Sequence, residues 1–160
     1  MKKLLAVALG ALGVGASVSA EAELASFYAK GNAFSIQAPA AWKKNEKAQY
    51  LSVVSPDGGV AITASAYGKS GGSLREFADY RFSSVESFYE QIGSEHPLRH
   101  GVYREYEGVW PGESKPTYYV VSVSEVGGAY FSITVVTERR LFESNRDGHI
   151  KIMESAKVGS

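Results

Sequence analysis

Residues 68–72, Gly68-Lys69-Ser70-Gly71-Gly72, have the spacing richest in chemistry. A G-x-S-x-G run between a strand and a helix is the setting of a nucleophile elbow, in which a sharp turn lifts a serine hydroxyl above a sheet. Asp147 and His149 follow in the chain order of an α/β-hydrolase triad. Three features oppose that reading. The chain is short for the hydrolase fold, its strands pattern as antiparallel, and residues of loop character separate Ser70 from the next helix. A motif without its fold carries no function, so Ser70 reads as part of a Gly/Ser loop. Gly68-Lys69-Ser70 also has the ending of a phosphate-binding loop, but the first glycine of that motif would fall at Thr63. The free amides and dipole of the helix start at Ser73 could still hold an anion weakly.

His96 and His100 stand four apart, a spacing that chelates metal on a helix. Pro97 lies between them and the segment reads as extended, which separates them by roughly 13 Å. His149 would join them only if the fold brought it there. With no cysteine in the chain and no acidic cluster nearby, neither a metal nor a cofactor is expected. Asp and Glu are scattered with no spaced pair on one element, so acid–base catalysis has no support and no catalytic residue is assigned. Arg81 is different. It falls inside an apolar helical stripe between Ala78 and Val85, and a guanidinium there must find a partner or snorkel to water. It reads either as a stem along the stripe's edge or as a cation lining a groove between helix and sheet. Trp110, in Trp110-Pro111-Gly112, and the pair Tyr118-Tyr119 place aromatic rings at a loop and a strand start. Such rings are either binding anchors or the ends of core strands. The candidate binding residues are therefore Arg81, Trp110, Tyr118 and Tyr119.

The elements that would position these residues follow from periodicity. Residues 33–37 read as a strand with Phe34 and Ile36 on one face, ended by Pro39 and Trp42. Residues 50–55 and 60–67 are strands joined by the turn Pro56-Asp57-Gly58-Gly59. In the second, Val60, Ile62, Ala64 and Ala66 share a face opposite Thr63 and Ser65. Ser73 and Glu76 form a capping box. From it a helix is expected to run through Leu74, Phe77, Ala78, Phe82, Val85, Phe88, Tyr89 and Ile92 to a closing Gly93. Residues 98–110 are β-rich, and residues 117–125 and 129–138 pair as a hairpin across Val126-Gly127-Gly128. Ser144 or Asn145 caps a last helix to about Glu154, with Ile150 and Met153 toward the sheet. Strands with hairpin links and two helices specify an α+β sandwich, a mostly antiparallel sheet of about six strands flanked by two main helices.

Residues 1–20 read as a secretory signal peptide: Lys2 and Lys3, an uncharged run over residues 4–14, and small residues at Val18-Ser19-Ala20. The apolar run is shorter than the roughly 20 residues of a membrane span. Cleavage is expected after Ala20 or Ala22, leaving residues 21–160 as one exported domain, periplasmic or secreted. Charge is balanced, with 17 basic and 17 acidic residues. Losing Lys2 and Lys3 turns the mature chain slightly acidic, and no basic block suggests nucleic acid. The ten tyrosines suit half-buried sheet positions and binding surfaces alike.

The strand start Phe34-Ser35-Ile36-Gln37-Ala38-Pro39-Ala40-Ala41-Trp42, the helix start Ser73-Leu74-Arg75-Glu76-Phe77, the Gly127-Gly128 hairpin and the closing Met153-Glu154-Ser155-Ala156-Lys157 resemble the PsbP/DcrB-like superfamily over residues 33–158. The resemblance implies an antiparallel sheet flanked by helices and a non-enzymatic role. Members bind photosystem subunits on the lumen side, a small GTPase or secreted effectors, and no catalytic residues carry over. The expected role is to dock a protein or envelope partner through a sheet face or the helix–sheet groove. The competing role is a small-molecule, lipid or ion binder using that groove as a pocket.

Overall fold

The computed structural model describes residues 22–159, so the signal-peptide reading of residues 1–20 lies outside them. Ten strands and three α-helices follow in the order β1 (Leu24–Tyr28), β2 (Phe34–Pro39), β3 (Lys43–Lys44), β4 (Leu51–Val54), β5 (Ala61–Gly68), α1 (Leu74–Glu86), β6 (Glu90–Leu98), β7 (Gly101–Gly108), β8 (Thr117–Val126), β9 (Ala129–Thr137), α2 (Arg139–Ser144), α3 (Arg146–Met153) and β10 (Lys157–Val158). The α+β class and the antiparallel pairing are as expected from the sequence. The count is not: one sheet has seven strands in the order β3-β4-β5-β9-β8-β7-β6, and a second has three, β1-β2-β10.

The central strands of the seven-stranded sheet are covered on both faces. Along β8 and β9 the side chains alternate between two cores. Tyr118, Val120, Phe131, Ile133 and Val135 join Ile36, Trp42, Ile62, Phe142, Ile152 and Met153 on one face. Val121, Val123 and Tyr106 meet Ala78, Phe82 and Val85 of α1 on the other. Burial on both faces explains why these strands read as near-continuous β-branched runs rather than as alternating ones. The chain thus makes three layers: α1, the large sheet, and the small sheet with α2 and α3.

Three expectations need correction. The helix starts at Ser73 with both halves of its capping box made, but it ends at Glu86 instead of running to Gly93. Residues 90–92 instead pair with residues 105–107 of β7, and that ladder outweighs the helical spacing of Tyr89 and Ile92. Gly93, at φ 69°, sits where the β6–β7 register shifts between Ile92 and His96. The last helix starts after Asn145, whose side chain makes no capping bond, and a separate short helix, α2, precedes it. The third concerns the strand β1, absent from the sequence reading. Its alternation of exposed and half-buried residues marks a sheet edge with little apolar signal.

Candidate functional site

α1 lies across β7, β8 and β9. It is held by Ala78, Phe82 and Val85 below and by an ion-pair network at its flank, in which Arg75 meets Asp79 at 2.7 Å and Glu95 at 2.9 Å, and Arg104 meets Glu86 and Glu95, each at 3.0 Å. Arg104 also lies 4.3 Å from the Phe82 ring centroid. Burial and the Glu86 carboxylate, which accepts from the Tyr106 hydroxyl at 3.1 Å, raise the Tyr106 phenol well above its ordinary range.

On the β5 side of α1 the sheet surface is left half-exposed. The register sets Thr63 beside Thr134 and Ser65 beside Ser132. These four hydroxyl residues share the face that α1 covers only partly, with Thr63 and Ser65 half-buried and Ser132 and Thr134 buried. Arg81 reaches over this floor. Its Nε donates to Ser132 Oγ at 3.2 Å, and its guanidinium lies 5.9 Å from the Tyr67 ring centroid. Phe77 closes that end, stacked on Tyr130 at 5.2 Å. The Tyr119 phenol borders the other end. Burial raises it above its ordinary range, against the opposing pull of Thr134 and Arg81.

Beyond Tyr119 the groove opens onto aromatic surface. Tyr119 stacks on Tyr89 with centroids 5.1 Å apart, Tyr89 lies 6.3 Å from Trp110, and Trp110 lies 5.7 Å from Phe88. Burial pushes the Tyr89 phenol up to about 12. Gly108 makes this arrangement possible, because a Cβ there would sit 2.7 Å from the Tyr89 ring. Phe88 is 58% exposed and Trp110 46%, with Val109 at 51% beside Trp110 in the chain, so a connected aromatic pair and an adjoining aliphatic side chain meet solvent. Sequence reasoning missed Phe88 and Tyr89 as site residues by assigning both to the buried helical stripe. The signal available was that two adjacent large rings cannot both lie on one narrow helical stripe.

The structure brings Arg81, Tyr119 and Trp110 to one face and separates Tyr118 from them. Tyr118 is 1% exposed and points to the opposite core, 5.7 Å from the Phe142 ring. There it borders a polar cluster that the sequence reading did not assemble. Buried Glu105 accepts from Arg146 of α3 at 2.5 Å and faces His96 Nε2 at 3.3 Å. His96 stacks on Tyr103 at 4.7 Å. Desolvation and the Glu105 charge raise the Tyr118 phenol well above its ordinary range.

The other motifs are not assembled. Ser70 is exposed, whereas His149 is fully buried, with Nδ1 against the Asn145 carbonyl at 2.9 Å and Nε2 without a partner. Asp147 is exposed on α3. Lys69, the centre of the phosphate-loop reading, pairs with Glu125. His96 is drawn to Glu105, while His100 lies exposed in the β6–β7 turn. Among the described residues no three His, Cys, Asp or Glu side chains gather around a common point.

No protein-family model matches this sequence, and no curated protein matches it. Solved structures do match. Cyanobacterial PsbP (CyanoP) from Synechocystis aligns with TM-score 0.57 and 15% identity over 94% of this chain and 99% of its own. LpqN of Mycobacterium tuberculosis, described as involved in cell envelope biogenesis, aligns with TM-score 0.53 and 13% identity over 86% and 91%. A protein from Bacteroides thetaiotaomicron aligns with TM-score 0.59 and 11% identity over 84% of this chain, which spans only 48% of that one. With two neighbours matched along nearly their full length and the three-layer arrangement in place, the chain has the PsbP/DcrB-like fold.

Proposed function

We propose that this chain is an exported, non-enzymatic binding module whose domain, residues 21–160, follows a signal peptide cleaved after Ala20. It docks a protein partner of the cell envelope along the groove between α1 and the large sheet. The observation that carries this reading is the exposed aromatic pair Phe88 and Trp110, with Val109 exposed beside it, continuous through Tyr89 with Tyr119 in the groove. Large aromatic rings left in water at a rigid junction are the usual anchors of interfaces. Arg81, Tyr119 and Trp110 are the proposed contacts, and Tyr118 is left to the core. Along β5 the floor residues Thr63 and Ser65 are half-buried and meet solvent, and an open strand face suits an extended partner better than an enclosed small molecule.

The test is cross-linking capture from native envelope with residues 21–160 as bait, in native and Trp110→Ala forms. One enriched protein, lost with Trp110→Ala while the thermal midpoint stays within a few degrees, is the expected result. Equal capture by both forms would refute the aromatic face as the docking surface. No capture, together with a thermal shift produced by a small metabolite, would favour the pocket reading, since ligand bound to the native state adds stability.

A further inference from the structure

Arg81 is out of balance with its surroundings. Of the arginines in the described residues, Arg75, Arg104, Arg139, Arg140 and Arg146 each meet a carboxylate. The Arg99 guanidinium has none, only its backbone amide meeting Glu154, and it is exposed on a turn, where water suffices. Arg81 also has none, yet it is half-buried on the groove wall. Its one hydrogen bond uses Nε, toward Ser132. Both Nη nitrogens are without a hydrogen bond or ion pair among the described residues; Ser65 is the cross-strand neighbour of Ser132, and Thr134 lies two residues along the same strand on the same face. Partial burial strips water from a guanidinium, and its planar fork matches a carboxylate held by two bonds. The Ser132 hydroxyl, which accepts from Nε, keeps its own hydrogen to donate to the same anion.

We infer that Arg81 and the hydroxyl floor of Ser65, Ser132 and Thr134 form a carboxylate-recognition site for an acidic side chain on an extended segment of the partner protein. This rests on the docking reading above and gives the partner a chemical signature. Along β9 the floor at Ser132 and the residue beside Tyr119, Val136, are four residues apart, roughly 13 Å. An extended peptide covers that length in about four residues. The recognised segment therefore carries Asp or Glu at one end and a large apolar side chain four or more positions away, toward Trp110.

The probe is an acetylated, amidated pentapeptide with Glu first, Trp last and Ser-Thr-Ser between, together with its reversed sequence. It is titrated into the 15N-labelled domain, residues 21–160. A matched pair carries Gln in place of Glu, and free glutamate is the small-molecule arm. The expected result is amide shifts at Ser65, Ser132 and Thr134. Binding of the Gln peptide should be at least about tenfold weaker, and Arg81→Met should erase that difference. Arg81→Lys, which keeps charge but not the fork, should fall between; it also serves if Arg81→Met does not fold. Equal affinity of Glu and Gln peptides, or a difference that survives both Arg81 variants, overturns the inference. Free glutamate binding as tightly as the peptide overturns the peptide source. Envelope capture that is lost with Trp110→Ala but kept with Arg81→Met removes the carboxylate site and leaves the docking reading standing. Peptide shifts without any envelope capture do the reverse.

Discussion

Tyr118 and Tyr119 show how much one step along a strand decides. Successive side chains on a strand point to opposite faces, so this pair had to place one ring on each side of the sheet. Tyr118 went to the core with Phe142, and Tyr119 to the groove with Tyr89. The sequence holds the alternation but not which face a helix leaves open. His149 carries the clearest residue-scale prediction. Burial holds its pKa at about 4, from an ordinary 6.5. Between these values the unfolded chain takes up a proton that the folded protein refuses. Stability is therefore full above about pH 6.5 and falls as pH drops toward 4, by up to about 3 kcal/mol. Denaturant titrations at pH 7 and 4.5 should show that loss, and His149→Phe should remove most of it. An unchanged pH slope in His149→Phe would mean that other groups govern acid sensitivity.

α1 is the element on which both the fold and the groove depend. Its start was legible, because Ser73 and Glu76 satisfy each other's amides locally. Its end was not. Phe88, Tyr89 and Ile92 fit helical spacing, and only pairing of residues 90–92 with a strand that follows in the chain withdraws them. For the same reason the aromatic face was invisible beforehand, since it exists only because the helix stops early. Arg81 was legible as an anomaly, because a cation inside an apolar stripe is visible in one dimension. Its hydroxyl partner, Ser132, and the Tyr67 ring beside it come from β9 and β5, which lie far apart in sequence, and no local pattern joins them. Val85 tests the assignment that did hold. It is buried between α1 and the sheet, and Val85→Asp places an unpaired carboxylate there, which should cost about 3 kcal/mol or more. Circular dichroism should show the domain largely unfolded at 37 °C. A native-like melting curve would mean that α1 does not pack on this face.

At the scale of the whole molecule, the two ends of the described chain meet on one strand. β2 pairs with β1 through residues 24–28 and with β10 through Lys157 and Val158. Ser155 Oγ accepts from the Gln37 amide at 2.8 Å, and Ala156 is buried beside it. Deleting residues 155–160 should therefore lower stability by about 2 kcal/mol or more, through the lost burial and the opened edge of β2. Chemical denaturation of the truncated chain checks this; an unchanged midpoint would make the closing strand ornamental. The shared strand has a mechanical consequence as well. β1 begins beside Pro39 and β10 ends beside Phe34, at opposite ends of β2 and on opposite sides of it. A pull on both ends of the domain runs along the strand axis and loads these hydrogen bonds in shear, all at once. A domain drawn between a tether and a bound partner would resist that force instead of unzipping bond by bond.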